Sequence, residues 1–128
     1  MKILLDTSTF LWFISDSDRL SAKARNYIAD LENDLILSIA SLWEIAIKTS
    51  IGKLELLRPF DQLMPAQLEE NAIEVLPIKL DHLSNIISLE LHHRDPFDRL
   101  LIAQSITERM PVITSDAAFA KYSVDIIW

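Results

Sequence analysis

Ile3-Leu4-Leu5-Asp6-Thr7-Ser8 is the stretch on which the fold turns. Three consecutive aliphatic residues stop abruptly at an acid. A run this short, apolar in every direction, reads as a strand buried on both faces of a parallel sheet. Parallel strands need long crossovers, usually helices, so helices should alternate with strands downstream. Thr9 to Ile14 reads as the start of the first helix, with Trp12 packing inward.

The alternation then continues. Ser21 is a good N-cap for a helix over about Ala22–Glu32. Asp34 to Leu37 reads as a second strand. Ser38 caps an apolar helix from Ile39 to about Thr49, and Gly52 is its stop. Pro59 opens a helical stretch to about Asn71, which Pro65 threatens to interrupt. Ile73 to Ile78 is a third strand, broken by Pro77, and Leu80 to Leu89 is helical. Asp95-Pro96-Phe97-Asp98 starts a helix to about Met110, with Asp95 at the N-cap and proline at the first helical position. Val112-Ile113-Thr114 is a strand, Ala117–Lys121 a short helix, and Val124–Ile127 a last strand. The expected class is α/β with a mainly parallel sheet. A length of 128 residues suits one domain spanning 1–128.

Composition narrows the chemistry. Half of the residues are hydrophobic and 24% are charged, as in a globular protein. The absence of cysteine excludes disulfides and thiol nucleophiles and disfavours zinc. The single glycine, Gly52, rules out a glycine-rich phosphate loop. No apolar stretch is long enough to span a membrane and no signal peptide is visible, so a cytoplasmic location is expected. The net charge of −7 is awkward for a nucleic-acid enzyme, and the excess acid lies mostly beyond residue 60. Carboxylates gathered around divalent cations would account for part of it.

Several acids stand where a site should be. Ligands of parallel sheets bind beyond the carboxyl ends of the strands. Asp6 follows the first strand directly, and Asp116 follows Val112–Thr114. Glu44 is the only charged residue from Leu35 through Ile47. Burying it without a partner costs several kcal/mol, so it needs a cation or strong donors; Lys48, one turn on, is the nearest. Asp98 opens the apolar helical face Leu100-Leu101-Ile102-Ala103. Each acid also has a plainer use, as a helix cap for Asp6, Asp98 and Asp116 and as the partner of Lys48 for Glu44. Four carboxylates in one pocket repel one another unless divalent cations neutralise them, and oxygen ligands suit Mg²⁺ or Mn²⁺. His92 and His93 read either as phosphate or metal contacts or as solvated loop residues.

At these residues the chain resembles PIN-domain proteins, in particular VapC-type toxins of bacterial toxin–antitoxin pairs. Leu4-Leu5-Asp6-Thr7-Ser8-Thr9-Phe10-Leu11-Trp12 is similar to the first family motif, and Ser38 through Lys48 to the second. His92-His93-Arg94-Asp95-Pro96-Phe97-Asp98-Arg99 and the residues through Gln104 are similar to the third, in a recognisable subgroup. Val112-Ile113-Thr114-Ser115-Asp116 is similar to the fourth. One departure is Ser105, where the family often has alanine.

The resemblance implies a three-layer α/β/α sandwich and a metal-dependent endoribonuclease. Asp6, Glu44, Asp98 and Asp116 carry over as the acids of the metal site. Ser8 corresponds to a small polar residue that orders the site, and Asp95 belongs to the subgroup motif. A metal-activated water would hydrolyse the RNA phosphodiester, leaving a 5′-phosphate and a 3′-hydroxyl. Apart from the resemblance, Lys48, Arg94 and Arg99 read either as phosphate contacts or as solvated surface residues. The implied partners are a cognate antitoxin protein and a second copy in a homodimer, with promoter DNA bound only through the antitoxin complex. The rival readings are an aspartyl phosphotransferase and a catalytically silent module acting through protein partners. Ser8 stands where the phosphotransferase needs a second aspartate, which disfavours it.

Overall fold

The computed structural model describes all 128 residues. Five parallel strands, β1 (Lys2–Leu5), β2 (Asp34–Ser38), β3 (Glu74–Leu76), β4 (Val112–Ile113) and β5 (Ile126–Ile127), form one sheet in the order β3-β2-β1-β4-β5. Six helices connect them: α1 (Thr7–Ile14), α2 (Ala22–Ala29), α3 (Ile39–Ser50), α4 (Phe60–Glu70), α5 (Leu80–Ser88) and α6 (Pro96–Glu108). A short 3-10 helix covers Ala117–Lys121.

Alternate residues of each strand feed two separate cores, which is why the strands are apolar on both faces. Ile3, Leu5, Leu35, Leu37, Ile113 and Ile127 pack with Phe10, Ala24, Ile28, Leu42, Ile45, Leu63 and Met64. That layer belongs to α1 through α4. On the opposite face Leu4, Ile36 and Val112 meet Leu101, Ile102, Met110 and Phe119, from α6 and the 3-10 helix. The result is the α/β/α sandwich. α5 lies against α6, held by polar contacts. His82 is fully buried, with its Nε2 2.8 Å from Glu108 Oε1, and its Nδ1 accepts from the Lys79 amide at 3.0 Å.

Most boundaries follow the expected caps. Ser21 accepts from the Ala24 amide, Ser38 from Ala40, and Asp95 from Phe97 and Asp98. Gly52, at φ +74°, turns the chain beyond α3 in a left-handed conformation. The first helix starts two residues earlier than expected, because Asp6 rather than a later residue caps it through the Thr9 amide. α2 is shorter than expected, ending at Ala29. Pro65 does not interrupt α4: its ring is exposed, and the helix runs on to Glu70. β3 and β5 are shorter than expected; Pro77, without an amide hydrogen, cannot extend the β3 ladder. Trp12 is half-buried and tilts against Trp128, with ring centroids 5.8 Å apart. No helix is long and apolar enough to cross a membrane.

Candidate metal centre

The chain runs from β1 toward β2 and β3 on one side and returns to β4 and β5 on the other. The crevice where the two directions part, between β1 and β4, is where parallel sheets bind ligands. Asp6 leaves β1 there with only 6% of its surface exposed. Its Oδ1 accepts from the Thr9 amide at 2.8 Å. Its Oδ2 accepts from the Thr114 hydroxyl at 2.6 Å, directly beyond β4. The Thr9 hydroxyl reaches across the same gap to the Ile113 carbonyl. Burial pushes the Asp6 carboxyl up, the Thr114 and Thr9 bonds pull it down, and the charge of Asp116 raises it further.

Glu44, 5% exposed, projects from α3 toward α1. The Thr7 hydroxyl donates to its Oε1 at 2.8 Å and stands 2.9 Å from Ser41 Oγ. Lys48 Nζ donates to its Oε2 at 2.5 Å. That bond holds the Lys48 ammonium above its ordinary value, with the charges of Asp95 and Asp98 adding to the effect. The pair expected along the helix is therefore present, and Lys48 faces the other acids as well.

Asp98 sits in the first turn of α6, and Asp116 caps the 3-10 helix through the Ala118 amide. His93 joins them. Its Nε2 lies 2.9 Å from Asp98 Oδ2 and 3.1 Å from Asp116 Oδ2. One donor atom from each of the three lies within 4.8 Å of the others. Asp6 and Glu44 stand outside this tight set but act on it by charge. The Asp98 carboxyl is raised to about 7, first by burial and then by the charge of Asp95, against the lowering effect of His93; Glu44 and Asp6 add to the rise. Crowded negative charge of this kind, presented by oxygen donors, suits a hard divalent cation.

The remaining expected residues fall elsewhere. Ser8 is exposed and bonds to none of the acids; Thr7, Thr9, Ser41 and Thr114 are the hydroxyls that order them. Asp95 spends one oxygen capping α6, though its charge reaches Asp98 and Lys48. The Arg99 guanidinium is directed to the carbonyls of Ile86, Leu89, Glu90 and His93, which ties the 86–93 segment to α6. Arg94 is exposed and makes no ion pair. The plain reading of His93 as a solvated loop residue does not hold, for its side chain is only 18% exposed. A sequence signal existed for Thr114, a hydroxyl at a strand end two residues before an acid. None marked His93 above His92.

The sequence profile of the PIN domain matches residues 3–125. The chain belongs to the PIN-domain family. No protein of curated function matches it. Among solved structures, it is similar in fold to a chain of VapBC2 from Rickettsia felis bound to a promoter DNA fragment, with a TM-score of 0.74 at 15% identity over 98% of this chain and 97% of that one. A chain of VapBC-1 from nontypeable Haemophilus influenzae gives 0.69 at 16% identity, covering 98% and 96%. One of VapBC-5, a toxin–antitoxin system of Mycobacterium tuberculosis, gives 0.62 at 23% identity, covering 98% and 97%. The four segments that resemble family motifs thus lie at strand ends and helix starts of this PIN domain.

Proposed function

We propose that this PIN domain is a Mg²⁺-dependent endoribonuclease, able to use Mn²⁺, and the toxin component of a VapC-type toxin–antitoxin pair. The observation that carries the proposal is the tight set of His93, Asp98 and Asp116, with Asp6 and Glu44 acting on Asp98 by charge and the Asp98 carboxyl raised to about 7 by burial and neighbouring charge. Such a set is incomplete as protein alone and fits a divalent cation. When bound, the cation supplies an activated water and offsets charge on the phosphate under attack.

The chain's own residues do the positioning. Thr114 and the Thr9 amide fix both oxygens of Asp6, and Thr7 fixes Glu44. Lys48 offsets the Glu44 charge and faces Asp95 and Asp98. Of Lys48, Arg94 and Arg99, Arg94 is the one left free to meet an RNA phosphate.

The toxin–antitoxin complexes that share the fold support an antitoxin partner and, through that complex, promoter DNA. An apolar groove of about 240 Å³, lined by Leu11, Trp12, Ile14, Leu54, Leu56 and Leu63 among others, offers such a partner a dry contact. A homodimer and a cytoplasmic location complete the reading.

The test is RNA cleavage with and without Mg²⁺ by the wild type, Asp6→Asn and Asp98→Asn. Losing a partner that only orients a ligand costs roughly 10–100-fold, so removing a ligand charge should cost at least about 100-fold. Undiminished cleavage by either variant would sink the site assignment. A wild type that leaves RNA intact would favour the silent partner-binding module instead.

A further inference from the structure

His93 meets two of the proposed ligands through one nitrogen. With a cation nearby, that nitrogen has two possible uses: it could bind the metal beside Asp98 and Asp116, or it could donate a hydrogen bond to them. The opposite side of the ring decides between the two. Nδ1 accepts from the Asp95 backbone amide at 3.3 Å. A neutral imidazole with an accepting Nδ1 carries its proton on Nε2. Metal-binding imidazoles show the reverse arrangement, their second nitrogen donating to a carboxylate, carbonyl or water. Turning the ring over would set carbon against both carboxylates and against the amide, so the orientation follows from the contacts.

The ring is also held in place. The amides of His92 and His93 both donate to Tyr122 Oη at 2.9 Å, and the Tyr122 hydroxyl donates to the Glu90 carbonyl at 2.8 Å. Arg99 bonds the carbonyls of Glu90 and His93 at 3.1 and 3.2 Å. The buried Phe119 meets the ring edge-on, 6.3 Å between centroids. A loop that carried His93 by chance would not need this many anchors.

We infer that His93 is a positioning residue rather than a metal ligand: its Nε2–H donates to Asp116 Oδ2 and stands 2.9 Å from Asp98 Oδ2, which keeps the two carboxylates side by side as a preformed pair for a cation. The inference rests on the reading of the acids as a metal centre.

The experiment measures Mn²⁺ binding by calorimetry, and nitrogen coupling to bound Mn²⁺ by pulsed electron paramagnetic resonance, in the wild type, His93→Ala, His93→Gln and Asp6→Asn. The wild type is expected to bind Mn²⁺ without a directly coordinated nitrogen. His93→Ala should weaken binding roughly 10–100-fold. His93→Gln keeps an N–H donor and should recover most of the loss. Direct nitrogen coupling that vanishes in His93→Ala overturns the assignment, as does a His93→Gln protein no better than His93→Ala. Binding lost in Asp6→Asn but unchanged in His93→Ala overturns it while leaving the metal centre intact. A wild type that binds no Mn²⁺ overturns both.

Discussion

Asp98 holds a proton in the folded protein that the unfolded chain releases near pH 4. Its folded value is raised to about 7, and Asp6 is shifted in the same direction. A raised carboxyl contributes stability that is complete below about pH 4, the unfolded value, and is lost as pH rises through the folded one. The cation-free protein should therefore melt at a lower temperature at pH 8 than at pH 5.5. Mn²⁺ affinity should move the other way, tightening as pH rises through about 7, because ligation needs the deprotonated acid. Calorimetric melting at the two pH values checks the first, and titration with Mn²⁺ the second; flat behaviour in both would refute the charge crowding. Asp6 and Glu44 were legible in the sequence because each is a lone charge against an apolar run, and burial makes such a charge conspicuous. His93 was not legible. What distinguishes it from His92 is Asp116, 23 residues away and separated from it by α6 and β4, and no local pattern encodes that meeting.

Among the elements, α5 is unusual in resting on its neighbour through polar groups. His82 is fully buried, and its bond holds the Glu108 carboxyl below the ordinary carboxylate range. Lys79 adds an exposed ion pair to Glu108. His82→Ala should cost roughly 2–4 kcal/mol, combining lost bonds with a cavity, and should speed amide exchange in α5 ahead of the sheet. Denaturant unfolding with hydrogen exchange reads both; a loss below about 0.5 kcal/mol would show that the contact is incidental. Helix starts were legible because capping is local chemistry: Ser21, Ser38 and Asp95 each satisfy an amide within three residues. Strand ends were less so. β3 and β5 stop where pairing with a neighbour stops, and that neighbour is β2 or β4, remote in sequence.

At the scale of the whole molecule, charge constrains how RNA is held. The chain carries a net charge of −7, Lys48 is paired with Glu44, and Arg99 is spent on backbone carbonyls. Of the three cations expected to meet phosphate, only Arg94 is left unengaged. If about two phosphates are neutralised on a single strand, log affinity should fall with log salt at a slope of roughly −1 to −1.5. Binding of RNA by Asp98→Asn across a salt series measures it. A slope steeper than about −4 would mean that the strand also meets cations away from these acids, on this chain or on a second subunit. The parallel sheet covered on both faces follows from strands that are apolar throughout, so the layers were readable, but the strand order β3-β2-β1-β4-β5 was not. The net charge was readable too, but not which positive residues the fold leaves free.

The bond from Thr114 to Asp6 spans 108 positions. β1, at the centre of the sheet, receives its last neighbour only when β4 is made. A nascent polypeptide leaving the ribosome thus carries Asp6 and Glu44 long before it can place Asp116 beside them. Translation itself imposes a delay: the cleft closes only once β4 and Asp116 have left the ribosome, so the ribosome is exposed to a finished cleft only after that point.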